Sequence, residues 1–375
     1  MESQFAEQIV PGVFVRVLAE ALIAPGGVSF GNVGIIGTAA ALPPPDGDDD
    51  DDAAPAPPDP MGRVHILSSL EDARALFAPS DALSAATMNL MRGLEILFAN
   101  GASTVYAYAV AVGANQDAYG TAADELIKED INLLVAPELP TATATTVLKS
   151  KVDSAENAGR DLIAVIGADA ATVTGDDSIA SQVNADKRIV LCAPAIRAFD
   201  AAAGQTVTLP GQYTAAAVAG LIAALPPQVS PTNKTLSGVT ELGRKFSYGE
   251  LKSLLQADVL PLEDRRGIRV VRGITTEGAA FSQITTRRIV DYAKAGVRQV
   301  ASPFVGRLNN ERVRKALQGA IDSFLATMKV DEALVGYSVE VTASRQDEIA
   351  GRCVVNIGLQ PTFSIDYIRV TLALS

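Results

Sequence analysis

Residues 364–375 read SIDYIRVTLALS and carry the strongest structural signal in the chain. Apolar and polar side chains alternate along this run, which is the period of a half-buried β-strand. A strand with no following loop to hold it to its own sheet is well placed to complete a sheet on another molecule. The face that we expect to make this contact consists of Ile368, Val370, Leu372 and Leu374.

A second run of the same kind lies near the other end of the chain, where residues 10–18 read VPGVFVRVL. Alternate positions are valines, so this run also predicts a strand. Two such strands at opposite ends of one chain predict a polymer in which subunits exchange strands. The N-terminal linking positions are Val13, Phe14, Val15 and Val17.

Residues 308–328, LNNERVRKALQGAIDSFLATM, predict an amphipathic helix that begins at Asn309 or Asn310. Its first turns are basic, although cations are favoured at the other end of a helix. The helix alone is equally consistent with a cluster presented to an acidic partner and with a merely solvated basic face. The cluster consists of Arg307, Arg312, Arg314 and Lys315.

Strand-like and helix-like patterns alternate through the middle of the chain. INLLVAP (131–137), RDLIAVIGA (160–168) and KRIVLCAP (187–194) are short apolar runs, each separated from the next by a helical pattern. This alternation predicts a mainly parallel α/β sheet with helices on its faces. After the helix at 308–328, three strand-like runs follow, so the chain is α+β overall, with a middle α/β domain and a C-terminal α+β module.

Composition restricts the class of protein. Apolar residues make up 48% of the 375 residues, which predicts a globular chain of two or three domains. We find no apolar run long enough to span a membrane and no secretion signal. Residues 243–375 contain 19 Lys/Arg and 14 Asp/Glu, a net of +5, whereas residues 1–242 carry a net of −17. The overall charge of −12 argues against nucleic-acid binding and favours an acidic protein partner for the basic part.

Residues 43–60, PPPDGDDDDDAAPAPPDP, form an acidic insertion with seven prolines and seven aspartates. Such a segment buries little apolar surface and its charges repel one another, so we expect a solvated, disordered loop. The aspartates do not have the spacing of a calcium-binding EF-hand loop, because no glutamate stands at the twelfth position.

The sequence offers little catalytic chemistry. The single histidine, His65, is expected to be a core or edge residue of a strand, and we expect both Cys192 and Cys353 to be buried thiols of a cytoplasmic protein. The glycines of GNVGIIGTA (31–39) do not match a phosphate-binding loop. Acidic residues at 169, 176 and 177 follow a strand, but such loop residues are common in an acidic chain. We therefore expect no catalytic residue, no cofactor and no metal.

These stretches, taken together and in order, resemble one family: the tail sheath proteins of contractile injection machines, meaning myophage tails, R-type pyocins and extracellular contractile injection systems. PGVFV (11–15), LEILFANGASTVYAYAV (94–110) and AAAVAGLIAAL (215–225) are similar to its N-terminal arm, its Tyr-containing strand with the preceding helix, and its Ala-rich helix. The C-terminal stretches RRIVDYAKAGVRQVASPFVGRLNNERVRKALQG (287–319) and AGRCVVNIGLQPTFSIDYIRVTLAL (350–374) follow its closing module. The acidic insertion departs from the family pattern.

The resemblance implies a structural subunit that polymerises as stacked rings around an inner tube and contracts to drive the tube through a target envelope. It implies an N-terminal linking arm (1–24), an outer α/β domain (25–240) and an inner, tube-facing C-terminal module (241–375). Implied partners are other copies of the chain, the inner tube protein, and baseplate and tail-terminator proteins. Assembly in the bacterial cytoplasm into a virion tail or a phage-tail-like particle is expected. The alternatives are an α/β enzyme of unknown reaction and a non-polymeric acidic binding module.

Overall fold

The computed structural model describes residues 28–39, 60–77, 88–169, 176–200 and 204–373. They divide into two compact units. The larger unit contains Phe30–Ile284 and residues 365–373, and the smaller unit contains residues 28–29 and Thr285–Ser364. Residues 241–284, which the sequence analysis assigns to the C-terminal module, therefore pack with the larger unit.

The larger unit contains most of the regular elements. Its strands are β1 (Val33–Ala39), β2 (Val64–Leu67), β3 (Val105–Ala111), β4 (Leu133–Val135), β5 (Ile163–Gly167), β6 (Ile189–Ala193), β7 (Ile196–Asp200), β8 (Gln205–Thr208), β9 (Glu241–Leu242), β10 (Leu260–Asp264) and β11 (Ile268–Val270). Its helices are α1 (Leu70–Phe77), α2 (Leu90–Ala99), α3 (Gln116–Ile127), α4 (Thr141–Asn157), α5 (Asp176–Ala180), α6 (Thr214–Ala224) and α7 (Tyr248–Gln256). A short 3-10 turn, Gly211–Tyr213, precedes α6.

The centre of the larger unit is an eight-stranded sheet of order β11-β10-β6-β5-β4-β1-β3-β2. The six inner strands are parallel, and only β11 and β2 at the two ends run antiparallel to their neighbours. Ile35 and Ile36 are adjacent in β1 and both are fully buried, each in a different apolar cluster. Both faces of the sheet are therefore covered, which confirms the predicted mainly parallel α/β sheet.

Helix α6 shows how small residues place an element in the core. Ten of its eleven residues are buried, from Thr214 to Ala223. A Cβ added at Gly220 would lie 2.4 Å from the carbonyl oxygen of Leu97 in α2, so glycine is required for the observed separation of the two helices.

The smaller unit has a helical layer and a two-stranded antiparallel sheet. Its elements are α8 (Ile284–Ala301, whose first residue belongs to the larger unit), α9 (Glu311–Val330), β12 (Leu334–Thr342), α10 (Arg345–Ile349) and β13 (Val354–Pro361). Along β12, Ser338 and Glu340 are exposed while Val339 is half-buried and Val341 is buried. This is the alternation of a half-buried strand.

One sequence-based expectation is wrong in this structure. Cys192 is buried in β6, but Cys353 is exposed, because it precedes the outer strand β13 rather than lying in a covered sheet. The final strand is expected to pair on another molecule, and this stays a prediction: residues 362–373 make no strand pairing with any described residue. Strand formation needs a hydrogen-bonding neighbour, and the described part of the chain does not supply one to this segment.

Candidate assembly surfaces

Helix α9 begins at Asn310, one of the two residues that the sequence offered. The Asn310 side chain accepts a hydrogen bond from the backbone N–H of Val313 at 2.9 Å, and Glu311 occupies the first turn, where a carboxylate complements the helix dipole. One face of the helix packs on β12, and the Gln318 amide donates to the Val339 carbonyl at 3.1 Å. The buried residues of this face are Leu317, Ile321, Phe324, Leu325 and Met328.

The four cations of the predicted basic cluster have different surroundings. The Arg314 guanidinium donates to the Glu348 carboxylate at 3.1 Å, and its side chain is only 17% exposed. Lys315 pairs with Glu311, one turn earlier, at 2.6 Å, and both side chains are 74% exposed. Arg314 therefore helps to hold α10 against α9, whereas Lys315 makes an ordinary surface pair.

Arg307 and Arg312 remain available for an external partner. The Arg307 guanidinium lies over the ring of Phe304, 4.9 Å from its centroid, and makes no ion pair with a described carboxylate. Arg312 is exposed and likewise has no carboxylate partner in the described part of the chain. Hydrogen bonds from Arg345 and Arg314 lower the pKa of Glu348, so this carboxylate stays ionised and keeps Arg314 in place. The uncommitted positive charge at this end of α9 is therefore at positions 307 and 312.

Both edges of the two-stranded sheet in the smaller unit are open. Strands β12 and β13 pair only with each other among the described residues, so each has one edge without a strand neighbour. Val335 on β12 is 63% exposed and Val354 on β13 is 40% exposed. An apolar two-stranded sheet with two open edges is marginal alone and suited to receive further strands.

Residues 362–373 form an extended segment with a row of exposed apolar side chains. Its start is fixed, because the Asp366 carboxylate accepts hydrogen bonds from Arg272 at 2.7 Å and from the Gln283 amide at 3.0 Å. Asp366 is 7% exposed, and Arg272 also lies 5.7 Å from the centroid of the Tyr367 ring. Beyond this anchor the chain exposes Ile368 (81%), Val370 (75%) and Leu372 (86%). This is a large apolar surface with nothing described that covers it.

The other predicted linking positions are outside the described residues. They are Val13, Phe14, Val15, Val17 and Leu374. The anchoring role of Asp366 was missed in the sequence. The available signal was a single carboxylate interrupting an apolar run, and its partners, 83 and 94 residues away, cannot be identified from a local pattern.

The candidates for catalytic or phosphate chemistry have structural roles. His65 lies in the end strand β2, with Nε2 2.9 Å from the Pro60 carbonyl oxygen and the ring edge-on to Phe77, which confirms the predicted edge histidine. Asp169 accepts hydrogen bonds from the Gln212 amide and from the backbone N–H of Thr141, at the start of α4. The side chains of Asp176 and Asp177 are outside the described residues.

The glycine-rich stretch forms β1, and its carboxyl end is already occupied by an anion of the chain itself. The Glu138 carboxylate accepts from the Thr38 backbone N–H at 2.7 Å and from the Thr38 hydroxyl at 2.5 Å. A phosphate would have to displace this carboxylate. Within the described ranges no group of His, Cys, Asp and Glu side chains is arranged to hold a metal ion. No helix found in those ranges is both long and apolar enough to cross a membrane.

Comparison with known families gives a match over most of the chain. Residues 112–276 match the model of the phage tail sheath protein central domain, and residues 276–375 match that of the phage tail sheath C-terminal domain. No curated protein matched the sequence.

Solved structures share the fold over nearly the full length. A chain from the cryo-EM structure of the anti-feeding prophage baseplate aligns with a TM-score of 0.73 at 18% identity, covering 98% of this chain and 99% of that one. A chain from the contracted helical sheath of the same prophage gives 0.72 at 18%, with the same coverage. The contracted sheath complex of an extracellular contractile injection system, PVC, gives 0.71 at 17%, covering 99% of both chains. At these identities the likeness establishes the fold.

Proposed function

Because this chain belongs to the phage tail sheath protein family, we propose that it polymerises as stacked rings around an inner tube and contracts to drive the tube through a target envelope. The observation that carries this proposal is the family match from residue 112 to residue 375. The protein is a structural subunit of a contractile tail sheath. The proposal is supported by an exposed apolar segment and an open sheet on the same chain.

The subunits are linked by strand exchange. Residues 365–373 carry exposed apolar side chains at alternating positions, and β12 and β13 have open edges. An extended segment added to such an edge gains backbone hydrogen bonds and buries its apolar row, so both features become satisfied in a neighbouring copy. The N-terminal run around Val13 to Val17 is the second linking strand. The smaller unit, residues 285–364, is then the part of the subunit through which neighbouring copies are linked.

The beginning of α9 faces the inner tube. Arg307 and Arg312 are exposed cations without carboxylate partners in the described chain, and a tube surface bearing acidic side chains would complement them. Each such contact is worth only about 0.2–1 kcal/mol. Repetition in every subunit sets the register of the extended sheath while still allowing release when the sheath contracts.

Contraction is a change between two packings of the same subunits. Linking strands keep the polymer connected while the compact bodies rotate and slide against one another. The stored energy is the difference in burial and ion pairing between the two packings, summed over many copies. A baseplate triggers the change, a terminator protein closes the distal end, and the particle is assembled in a bacterial cytoplasm as a virion tail or phage-tail-like particle.

An α/β enzyme and a non-polymeric binding module are the competing functions. Neither accounts for the open sheet together with the exposed segment at 365–373. Negative-stain microscopy of the purified full-length protein separates the three. Ribbed cylinders are expected for a sheath subunit, whereas compact particles that remain monodisperse at high concentration would overturn the proposal.

A further inference from the structure

The hairpin formed by β10 and β11 carries a concentrated positive charge at its tip. The connection between the two strands contains Arg265, Arg266 and Gly267. Arg266 has φ of 59°, a left-handed conformation that is uncommon for a residue with a side chain. Both arginines are exposed. An arginine at a position that favours glycine or asparagine is unusual in a purely structural turn.

Two further cations lie beside this tip. Residues 233–236 run along the open side of β11, where Thr235 is bridged to Arg269 and the Lys234 carbonyl accepts from the Val270 N–H at 3.0 Å. We call the four side chains of this surface the basic hairpin. They are Lys234, Arg265, Arg266 and Arg269.

Most of the charge of the basic hairpin is not neutralised within the subunit. Arg265 forms an ion pair with Glu263 at 3.3 Å, and the neighbouring Asp264 forms one with Lys245 at 2.5 Å. Arg269 donates only to neutral oxygens, the Asn233 amide at 2.8 Å and the Arg266 carbonyl at 3.1 Å. Lys234 and Arg266 have no carboxylate partner in the described part of the chain. The surface therefore fits an anionic partner.

The residues on either side of the acidic insertion, Ala39 and Pro60, lie at the same edge of the sheet as this surface, and residues 43–59 are outside the described residues. Strands β10 and β1 run in the same direction, so the hairpin tip and Ala39 are both at the carboxyl edge. Strand β2 is antiparallel to β3, so Pro60, which precedes it, returns the chain at that edge as well. Along the sheet the two features are far apart, because β1 and β2 are five and seven strands from β11. At about 4.8 Å per strand these separations are about 24 and 34 Å.

We propose that the basic hairpin of one subunit binds the acidic insertion of a neighbouring subunit. This inference rests on the proposed polymer, which supplies the neighbouring copy. The insertion carries seven aspartates and no cation, so it is the most concentrated negative charge in the sequence. A segment with this charge complements an arginine surface, and salt would weaken the contact.

Contact within one chain would require the acidic insertion to stretch along the sheet. Asp52 lies eight residues before Pro60, and even fully extended these residues span at most about 29 Å. That is less than the roughly 34 Å from β2 to β11, so only earlier aspartates of the run reach the hairpin of their own subunit, and only when the insertion is largely extended. Such stretching costs chain entropy, which a contact with a neighbouring copy avoids. Complementary surfaces at opposite ends of one sheet make a head-to-tail contact, which continues into rings or helices.

The test uses a mixture of ¹⁵N-labelled and unlabelled full-length protein. A carbodiimide cross-linker joins carboxylates directly to amines, and Lys234 is the native amine of the basic hairpin. Mass spectrometry is expected to find Lys234 joined to a peptide of residues 46–52, in pairs of one labelled and one unlabelled copy. The cross-link needs only two copies in contact, so it is measurable whether or not cylinders form.

The second part of the experiment reverses the charge of the two arginines at the hairpin tip. Arg265→Glu with Arg266→Glu is expected to abolish the cross-link. The matched control is Lys128→Glu with Arg160→Glu, an equal charge change at exposed positions near the amino edge of the same sheet, which is expected to leave the cross-link intact.

Three results would overturn the inference: a cross-link found only within single copies, a Lys234 cross-link to other carboxylates or to another particle protein, or a cross-link that survives reversal of both arginines. Wild-type protein that never forms cylinders would instead contradict the proposed function. The two failures are therefore distinguishable.

Discussion

Gly296 of helix α8 lies against the ring of Phe324 of helix α9, so closely that a Cβ added at position 296 would stand 1.7 Å from Phe324 Cζ. Both residues belong to the smaller unit, and Phe324 is only 6% exposed. Real side chains cannot approach to this distance, so glycine sets the separation of the two helices. The placement of α9, and with it that of the cations at its start, depends on this contact.

Gly296→Ala is expected to lower the free energy of unfolding by about 1–3 kcal/mol, because the added methyl group overpacks a closed interface. Thermal unfolding followed by circular dichroism measures the change. Gly319→Ala is the matched control: position 319 is on α9 with nothing within 4 Å of an added Cβ. That change is expected to stabilise the protein by about 0.5–1 kcal/mol. A rise in melting temperature for both variants would contradict the packing described here.

A buried ion pair in the larger unit gives a second prediction. Arg92 in α2 donates to Asp200 in β7 at 2.9 Å, and the two side chains are 1% and 0% exposed. Asp200→Asn removes the carboxylate but leaves a buried guanidinium, which is expected to cost about 3–5 kcal/mol. Arg92 keeps its ion pair with Glu95, at 2.8 Å, so we expect a loss of stability near the lower end of this range. Urea unfolding measures the difference.

The control for this ion pair is the exposed pair between Lys128 and Glu125, 2.6 Å apart. Glu125→Gln is expected to change the stability by no more than about 0.5 kcal/mol, because exposed pairs of this spacing contribute little. Equal losses for Asp200→Asn and Glu125→Gln would mean that the buried pair does not stabilise the larger unit.

The two thiols are expected to react differently. Burial raises the pKa of the Cys192 thiol, and its Sγ donates to the Ile166 carbonyl at 3.3 Å, so it is expected to be inert in the native protein. Cys353 is exposed, although partial desolvation raises its pKa as well. Iodoacetamide at mildly alkaline pH is expected to modify only Cys353 in the unassembled subunit, and both after denaturation. Native modification of Cys192, read by mass spectrometry, would contradict its placement in the sheet.

Much of the fold was accessible from local pattern. The buried runs around β4, β5 and β6 are short, apolar and separated by helical segments, a combination that fits a parallel sheet better than any other layered structure. The amphipathic helix α9 was also predicted, because one face of a long helix must meet the core, and its buried face is made by Leu317, Ile321, Phe324, Leu325 and Met328.

The predictions that failed depend on tertiary contacts, which a local sequence pattern does not show. In the sequence Arg314 is one of four similar cations. In the structure it pairs with Glu348, 34 residues later, which neutralises its charge. Cys353 sits in an apolar run that belongs to an outer strand. In each case the sequence specifies the residue type, and the tertiary contact decides its role.

Loss of the terminal segment is expected to separate folding from assembly. Ile368, Val370 and Leu372 are exposed and make no strand pairing within the described subunit, so deleting residues 368–375 is expected to leave the melting temperature unchanged but to abolish cylinders. Deleting residues 1–18 is expected to do the same. Thermal unfolding followed by circular dichroism measures the melting temperature, and electron microscopy detects the cylinders.

Substitutions within the terminal segment test the same prediction without shortening the chain. Changing Ile368, Val370 and Leu372 to Asn is expected to prevent assembly, because a strand added to β12 or β13 must bury one apolar row. Arg369→Asn with Thr371→Asn alters the alternate face of the same segment and is the control. Sheaths of normal length from the triple variant would rule out linkage through this row.

The start of α9 provides the test of the tube contact. Arg314 is a poor position for it, since its pairing with Glu348 means that charge reversal would also disturb α10. Arg307→Glu with Arg312→Glu reverses the two cations that no described carboxylate neutralises. Growth of extended sheath on the tube is expected to stop, while contracted, empty sheaths still assemble, because strand exchange does not involve these side chains. Lys329→Glu, at the exposed opposite end of the same helix, is the single-charge control for Arg312→Glu. Tube-filled, extended particles at normal yield from the double variant would show that the tube binds elsewhere on the subunit.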